Sequence, residues 1–279
     1  MVYAICIPAG IILILFTLYI LALRPNGGRQ SLMKPYTDTY IAHRGLFNNK
    51  DIPENSIPAF AKAVKEGYGI ELDVQLTSDR KLVVFHDESL KRMCGDERIL
   101  HKTSYDELCK LSLLGTDEKI PLFSDVLMLI GGAVPLIVEI KSEGDYLATT
   151  QMTNDMLTKY GGEYCVESFH PSVIKWYRKN NPQVIRGQLS TKYKKDAADQ
   201  PWYVRFILTN LLLNYQAKPD FIAYNHVYKR QFSYRLCRGL YKPVNVAWTI
   251  RSQDELDSAK DVFSVIIFDS FIPKRPEDA

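Results

Sequence analysis

The sequence predicts an α/β fold of the TIM type, an eight-stranded (β/α)8 barrel with a β-hairpin and an insertion over its mouth. From residue 40 onward, short β-branched runs alternate with helical patterns, which is typical of repeated βα units. The 279 residues and the 46% hydrophobic content suffice for one barrel core. Nine runs have strand character, and the spacing between two of them fits only a hairpin.

The first 24 residues are predicted to form a transmembrane helix that precedes the barrel. Residues 2–23 are almost wholly apolar and, as a helix, would reach about 33 Å, close to the hydrocarbon thickness of a bilayer. A cleaved signal peptide is the alternative, but neither a basic leading region nor a small-residue cleavage site is evident. Residues 25–39 are interpreted as a juxtamembrane linker and residues 40–279 as the barrel domain.

Charge and cysteine content indicate where the barrel resides. Lysine and arginine are absent before the apolar stretch and follow it at Arg24, Arg29 and Lys34, so the positive-inside rule predicts that the barrel domain lies in the cytoplasm. The five cysteines form no C-x-x-C pair, and their odd number argues against a disulfide framework. A net charge of +3 gives no reason to expect a nucleic-acid partner. The oligomeric state is left open.

Nine segments are predicted as strands, and helical patterns lie between most of them. The strands are 40–42, 69–77, 82–86, 135–141, 164–169, 184–190, 220–225, 244–250 and 264–269, and the helical patterns include 56–66, 172–180, 231–240 and 254–260. Only residues 78–81 separate the second and third strands, too few for a parallel crossover. Segment 82–86 is therefore predicted as an antiparallel hairpin arm that brings His86 over the strand ends, where barrel active sites lie.

The second strand carries two carboxylates at alternate positions, Glu71 and Asp73. A period of two puts both side chains on one face of the strand. Like charges at that spacing raise each other's pKa, and a divalent cation relieves the repulsion. Such a pair suits an oxygen-preferring ion, Ca2+ or Mg2+. A solvated strand face is the alternative for this pair taken alone.

Four short blocks around this strand resemble the glycerophosphodiester phosphodiesterase family, part of the phosphatidylinositol-phospholipase-C-like barrels. The blocks are 41–45 (IAHRG), 53–56 (PENS), 83–87 (VVFHD) and 137–141 (IVEIK), in the order that the family shows. The resemblance runs from about residue 40 to the end. It implies metal-dependent hydrolysis of glycerophosphodiesters to glycerol 3-phosphate and an alcohol. It also implies that the insertion at 89–132 caps the site, although a long βα connection without a substrate role remains the alternative.

The resemblance assigns roles to several side chains of these blocks. His43 and His86 match the general acid and base, although the sequence does not decide which donates the proton. Arg44 and Lys141 are expected to contact the phosphoryl oxygens. The Arg44 guanidinium can contact two of these oxygens at once. The metal carboxylates are implied to be Glu71, Asp73 and Glu139.

Four more residues are expected near the substrate. They are Glu54, Asn55, Phe169 and Trp248. Glu54 has the alternative of a simple loop charge, and Trp248 that of a core-packing residue. His170 is interpreted as a helix cap or a rim residue.

Two other functions remain open from the sequence. Segment 201–215 is apolar but too short to cross a bilayer, so it is either a barrel helix packed against the strands or an interfacial helix near lipid. Together with the predicted anchor, it motivates a lysophospholipase D that acts on lysophospholipids, with membrane lipid as a partner. A non-catalytic, metal- and phosphate-binding membrane module is the third reading, and the pair His43 and His86 argues against it.

Overall fold

The computed structural model describes residues 2–193 and 200–274, with side chains from residue 10 onward. Within them the strands are β1 (Ile41–His43), β2 (Gly69–Leu76), β3 (Leu82–Val84), β4 (Leu136–Ile140), β5 (Tyr164–Ser168), β6 (Arg186–Ser190), β7 (Phe221–Asn225), β8 (Val244–Ile250) and β9 (Val265–Phe268). The helices are α1 (Val2–Ala22), α2 (Lys34–Thr37), α3 (Ile57–Lys65), α4 (Lys91–Cys94), α5 (Tyr105–Leu108), α6 (Phe123–Ile130), α7 (Tyr146–Leu157), α8 (Pro171–Asn180), α9 (Trp202–Thr209), α10 (Asn214–Ala217), α11 (Phe232–Tyr241) and α12 (Gln253–Ala259).

Eight parallel strands close into a barrel of the TIM type, as predicted. The order is β1-β2-β4-β5-β6-β7-β8-β9, and β1 pairs with both β2 and β9, which closes the ring. Inward-facing apolar side chains fill the interior, and a second apolar layer lies between the strands and the surrounding helices. This places the carboxyl ends of all eight strands at one mouth.

The predicted hairpin is confirmed. β2 extends beyond its barrel partners, and its last residues pair antiparallel with β3, so that Val74 lies opposite Val84. The arm is shorter than predicted because Phe85 and His86 leave the ladder. The Phe85 amide still donates to the Asp73 carbonyl at 2.9 Å, which holds His86 over the mouth.

Residues 89–132 form short helices around a small apolar core of their own, beneath the hairpin. Ser104 is the N-cap of α5, because its hydroxyl and backbone amide both contact the Glu107 carboxylate in a capping box.

Helix α1 contacts the barrel through its carboxyl end. The Tyr241 hydroxyl donates to the Ile20 carbonyl at 2.7 Å, and the Asn214 side-chain amide donates to the Leu23 carbonyl at 3.2 Å. Beyond this end, Met33 and Tyr36 of the segment interpreted as a linker are fully buried against the inner barrel core.

The transmembrane helix predicted at residues 1–24 is not confirmed. Among the residues whose side chains are described, no helix is long and apolar enough to cross a membrane. Residues 1–9 of the predicted span lie outside those side chains.

The apolar segment 201–215 divides into two parts. Helix α9 has no fully buried side chain, which favours the alternative of an interfacial helix over that of a barrel helix packed against the strands. The chain then turns inward, and Leu211 and Asn214 are buried before and within α10.

Candidate active site

Three buried carboxylates meet at the carboxyl ends of β2 and β4. Asp73 lies opposite Glu139 in the parallel register of the two strands, and Glu71 lies on the same face of β2. One oxygen from each of the three side chains lies within 4.8 Å of the other two. The sequence prediction that these three residues converge is therefore correct.

Lys141 partly balances this negative charge. Its ammonium lies 2.9 Å from Asp73 Oδ1 and 2.9 Å from Glu139 Oε1, and Asn55 donates to Asp73 Oδ2 at 2.8 Å. Burial alone would raise the pKa of Asp73, but Lys141 and its other cationic neighbours outweigh burial and hold that pKa well below its ordinary value.

Glu71 has the opposite electrostatic environment. Burial, and then the charges of Asp73 and Glu139, raise the pKa of Glu71 well above its ordinary value. The pKa of Glu139 is also raised, chiefly by burial. The cluster therefore has more negative charge than Lys141 balances, and this is the condition under which a carboxylate site attracts a cation.

The donor set fits a hard divalent ion such as Ca2+ or Mg2+. All three clustered side chains offer carboxylate oxygens, the ligands that these ions prefer. A fourth buried carboxylate, Glu167, lies opposite Glu139 on β5, and its Oε2 has no hydrogen-bond partner among the described residues. Burial and the neighbouring Glu139 raise the pKa of Glu167 well above its ordinary value. An unpaired buried oxygen beside three carboxylates is consistent with a cation or a polar ligand at this place.

His43 ends β1 and points into the same site. Its Nδ1 lies 2.8 Å from Asp269 Oδ2, and its Nε2 lies 3.9 Å from Glu71 Oε2. Burial, followed by the charge of Arg44, lowers the pKa of His43 to about 4. A neutral ring that donates from Nδ1 to Asp269 leaves the lone pair of Nε2 directed toward the carboxylates.

His86 is held by a parallel arrangement on the hairpin. Its Nδ1 lies 2.6 Å from Asp87 Oδ1, and Arg92 Nε donates to the other Asp87 oxygen at 2.6 Å. The Gln75 side-chain amide donates to the carbonyls of Phe85, His86 and Asp87, which fixes the backbone of this turn. Both histidines thus have one ring nitrogen bound to an aspartate.

Arg44 and Glu54 form an ion pair beside the carboxylates. Arg44 Nη1 lies 2.6 Å from Glu54 Oε1, and Arg92 Nη2 lies 2.7 Å from the same oxygen. Burial would raise the pKa of Glu54, but the hydrogen bond from Arg92 and the charge of Arg44 outweigh it and lower the pKa to about 2. The next residue, Gly45, has φ +79°, and a Cβ there would lie 2.8 Å from the Ala59 carbonyl carbon, so only glycine fits this turn.

One small cavity joins most of the predicted site residues. Its volume is about 120 Å3, and its lining includes both histidines, Arg44, Glu71, Glu139 and Glu167. Phe169 and Trp248 form the apolar wall, with ring centroids 5.4 Å apart in an edge-to-face arrangement. The structure thus brings the predicted acid–base, metal and aromatic residues to one place.

Other predicted residues lie behind that lining. Glu54 and Asn55 are buried and contact Arg44 and Asp73, so the structure places them in support of the site. His170 precedes α8 at the rim, makes no capping hydrogen bond through its side chain, and lies against the Tyr146 ring at 4.7 Å between centroids.

Sequence reasoning gave no site role to Asp269, Glu167 or Arg251. Asp269 follows the last barrel strand and reaches His43 only because β1 and β9 pair across the closure of the barrel. Arg251 in turn holds Asp269, with Nε at 3.0 Å from Oδ1. Glu167 had a usable signal, because its position in β5 repeats that of Glu139 in β4.

Comparisons with known proteins identify a family for this chain. The family model described as "Glycerophosphoryl diester phosphodiesterase family" matches residues 43–263. The protein named glycerophosphodiester phosphodiesterase from Caldanaerobacter subterraneus is 44% identical over 110 residues, which cover 37% of this chain and 44% of that protein. The protein named lysophospholipase D GDPD1 from Rattus norvegicus is 30% identical over 183 residues, which cover 60% of this chain and 57% of that protein. The chain thus spans about half the length of these two relatives.

Solved structures show the same fold. An Oleispira antarctica phosphodiesterase in complex with the product sn-glycerol-3-phosphate aligns with a TM-score of 0.66 at 20% identity, covering 83% of this chain and 92% of that one. A glycerophosphodiester phosphodiesterase from Thermotoga maritima aligns with a TM-score of 0.64 at 22% identity, covering 82% and 94%. The family model covers most of the chain. The chain therefore belongs to the glycerophosphoryl diester phosphodiesterase family.

Proposed function

We propose that this chain hydrolyses glycerophosphodiesters to glycerol 3-phosphate and an alcohol in a reaction that depends on a divalent cation. One observation carries the proposal. A single cavity is lined by two histidines and by Glu71 and Glu139 of the buried carboxylate cluster, with Arg44 beside them. A site that only binds a phosphorylated ligand has little need of two aspartate-bound imidazoles.

The two histidines provide the proton transfers. Hydrolysis of the ester needs a base for the nucleophile and an acid for the leaving alkoxide. His43 and His86 enter the cavity from β1 and from the hairpin, and each is oriented by an aspartate on Nδ1. In this mechanism one imidazole removes a proton on one side of the phosphorus and the other donates a proton on the opposite side.

Charge neutralisation is the remaining requirement, because the phosphoryl oxygens gain negative charge as the bond breaks. A divalent cation held by Glu71, Asp73 and Glu139 would supply Lewis-acid stabilisation of that charge. Arg44 lines the cavity and is fixed by Glu54, so its guanidinium is placed to contact the phosphoryl group. Lys141 is bound to Asp73 and Glu139 and holds these two carboxylates in position.

Turnover of glycerophosphocholine tests the proposal directly. We expect the full chain to release glycerol 3-phosphate and choline, and we expect a chelator to stop release until Ca2+ or Mg2+ is added back. Release of phosphocholine and glycerol would contradict the proposed bond cleavage. Undiminished turnover by His86→Ala would contradict the two-histidine mechanism.

A lysophospholipase D activity is the second candidate, because α9 exposes apolar side chains beside the barrel mouth. A relative with that name matches over 60% of this chain. Parallel assays with glycerophosphocholine and lysophosphatidylcholine distinguish the two functions. Turnover of the acylated substrate alone would replace the first proposal with the second.

We also propose a cytoplasmic location for the barrel. Arg24, Arg29 and Lys34 follow the apolar first helix, and the four described cysteines are free thiols. Cys109 is exposed and offers a test. A maleimide that cannot cross membranes should label Cys109 only after the cells are opened, and labelling in intact cells would contradict this location.

A further inference from the structure

The face of the molecule around α9 exposes large apolar side chains that nothing in the described chain covers. Trp202 is 73% exposed, and Tyr203 and Phe206 on the same helix are more than half exposed. Val227 and Phe232, in the connection after β7, are similarly exposed at 67% and 65%. Scattered exposed apolar residues are normal, but these five lie on two connections that contact each other, since Gln231 and Ser233 both hydrogen-bond Asn210 after α9. Exposed apolar side chains gathered on neighbouring connections mark an interaction site.

Hydrogen bonds place this face at the mouth of the barrel. The hydroxyl of Ser190, the last residue of β6, donates to the Leu208 carbonyl at 2.9 Å. The Tyr224 hydroxyl, near the end of β7, donates to the Thr209 carbonyl at 3.1 Å. The carboxyl end of α9 is therefore held at the carboxyl ends of two barrel strands, where the active site also lies.

Helix α1 runs toward the same face. The Asn26 amide donates to the Pro219 carbonyl at 2.8 Å, just before β7, so the end of α1 lies at the base of the barrel. The Tyr19 hydroxyl contacts the hydroxyl of Ser233, at the start of α11 and so toward the mouth, and Ser233 in turn contacts Asn210 after α9. The next turns of α1, residues 10–18, are exposed around the whole helix.

Cations without acidic partners accompany the apolar side chains. Lys229, Arg230 and Arg235, each within three residues of Phe232 in the sequence, line a shallow depression, and Arg205 lies on α9. Within the described residues, none of these four forms an ion pair with a carboxylate, whereas Arg44, Arg92 and Arg251 at the active site all do. Cations without acidic partners on the same connections as exposed tryptophan and tyrosine suit a lipid headgroup region.

We propose that this mouth-side face, formed by Trp202, Tyr203, Phe206, Val227 and Phe232 with the cations around them, docks on an anionic membrane surface. The aromatic rings enter the interface between headgroups and acyl chains, and the cations contact the acidic headgroups. The barrel mouth then opens toward the lipid. The proposal does not depend on which phosphodiester is hydrolysed.

Trp202 provides the probe for the test. The full chain is mixed with vesicles of phosphatidylcholine and phosphatidylglycerol whose acyl chains carry bromine, which quenches nearby tryptophan fluorescence. Since Trp202 is one of three tryptophans, we expect a loss of roughly a third of the emission relative to unbrominated vesicles. Trp202→Phe should remove this quenching, and Trp176→Phe, which changes a partly buried ring elsewhere, should keep it.

Flotation of the same vesicles distinguishes the remaining outcomes. A chain that floats with the vesicles without quenching of Trp202 is attached through α1 alone with its mouth turned away, which would overturn the proposal. Quenching that survives in Trp202→Phe would do the same. So would a lipid-free dimer that Phe206→Ser dissociates, because a second copy would then cover this face.

The electrostatic part has its own matched pair of variants. Arg230→Glu with Arg235→Glu should weaken flotation severalfold on anionic vesicles. Lys62→Glu with Lys65→Glu makes the same charge change at exposed positions on α3, and it should have a much smaller effect. Equal losses from both pairs would mean that net charge alone, rather than this face, governs binding.

Discussion

The two sides of the barrel mouth differ in whether their cationic side chains are paired with carboxylates. On the β1–β4 side, Arg44, Arg92 and Lys141 each lie within 3 Å of a carboxylate oxygen, and the acidic residues are buried. On the β6–β7 side, Arg230 and Arg235 have no carboxylate partner among the described residues and lie beside exposed apolar rings. Buried, paired charges fix side chains for chemistry, whereas free cations and exposed rings remain available to an external surface. The difference predicts that substitutions on the two sides will affect different measurements.

Replacement of a histidine on the paired side should have the largest effect. We expect His43→Ala to lower kcat for glycerophosphocholine by about 10² to 10⁴, the usual contribution of one acid–base group. Met128→Ser, at an exposed position of α6 outside the cavity lining, is the control and should retain the full rate. A His43→Ala enzyme within twofold of the parent would remove His43 from the mechanism.

Loss of one clustered carboxylate should weaken metal binding next most strongly. We expect Glu71→Gln to lower the affinity for Ca2+ or Mg2+ by about 10- to 100-fold, because a neutral amide replaces a charged ligand in a buried site. Isothermal titration calorimetry measures this directly without turnover. Asp117→Asn, which removes an exposed carboxylate, should leave the affinity unchanged.

The aspartates that hydrogen-bond the two histidines allow a comparison within the β1–β4 side of the mouth. We expect Asp269→Asn to lower kcat by about 10- to 100-fold, because an amide no longer secures the tautomer that leaves Nε2 free. KM should change little, and circular dichroism at the assay temperature should show a fully folded variant, because partial unfolding would also lower the apparent kcat at constant KM. Asp87→Asn should lower kcat less, since Asp87 is more exposed than Asp269 and water can replace part of its hydrogen bonding.

Contacts between residues close in the sequence could be predicted from it, whereas contacts between distant strands could not. Alternation along one strand predicted that Glu71 and Asp73 share a face, and the short 78–81 turn predicted the hairpin that carries His86. The contact between His43 and Asp269 joins the first and last strands, and only closure of the barrel creates it. The sequence left the environment of helix α9 open for a different reason. Apolar composition predicts burial, yet the same side chains can face a second apolar phase outside the protein.

Acidic pH should gradually remove the stability that the Glu54 ion pairs contribute. The pKa of Glu54 falls from 4.5 to about 2 on folding, so its contribution to stability is complete above about pH 4.5 and is lost as pH falls toward 2. The advantage of the parent over Glu54→Gln in urea unfolding should therefore shrink between pH 5 and pH 3, by at most about 1.4 kcal/mol per pH unit. A constant difference across this range would mean that the Arg92 and Arg44 pairs do not stabilise the charged form. Glu97→Gln controls for loss of an exposed carboxylate.

The smallest effect is expected on the unpaired side. Phe232 is 65% exposed, so Phe232→Ser removes almost no buried area and should change the free energy of unfolding by less than about 0.5 kcal/mol. Phe123 is fully buried between α6 and the barrel, so Phe123→Ala should lower the free energy of unfolding by about 3 to 5 kcal/mol. Chemical denaturation measures the free energy of unfolding of both variants. If Phe232→Ser costs more than about 1 kcal/mol, that ring stabilises the fold itself, and the β6–β7 side is part of the core rather than a surface kept for lipid.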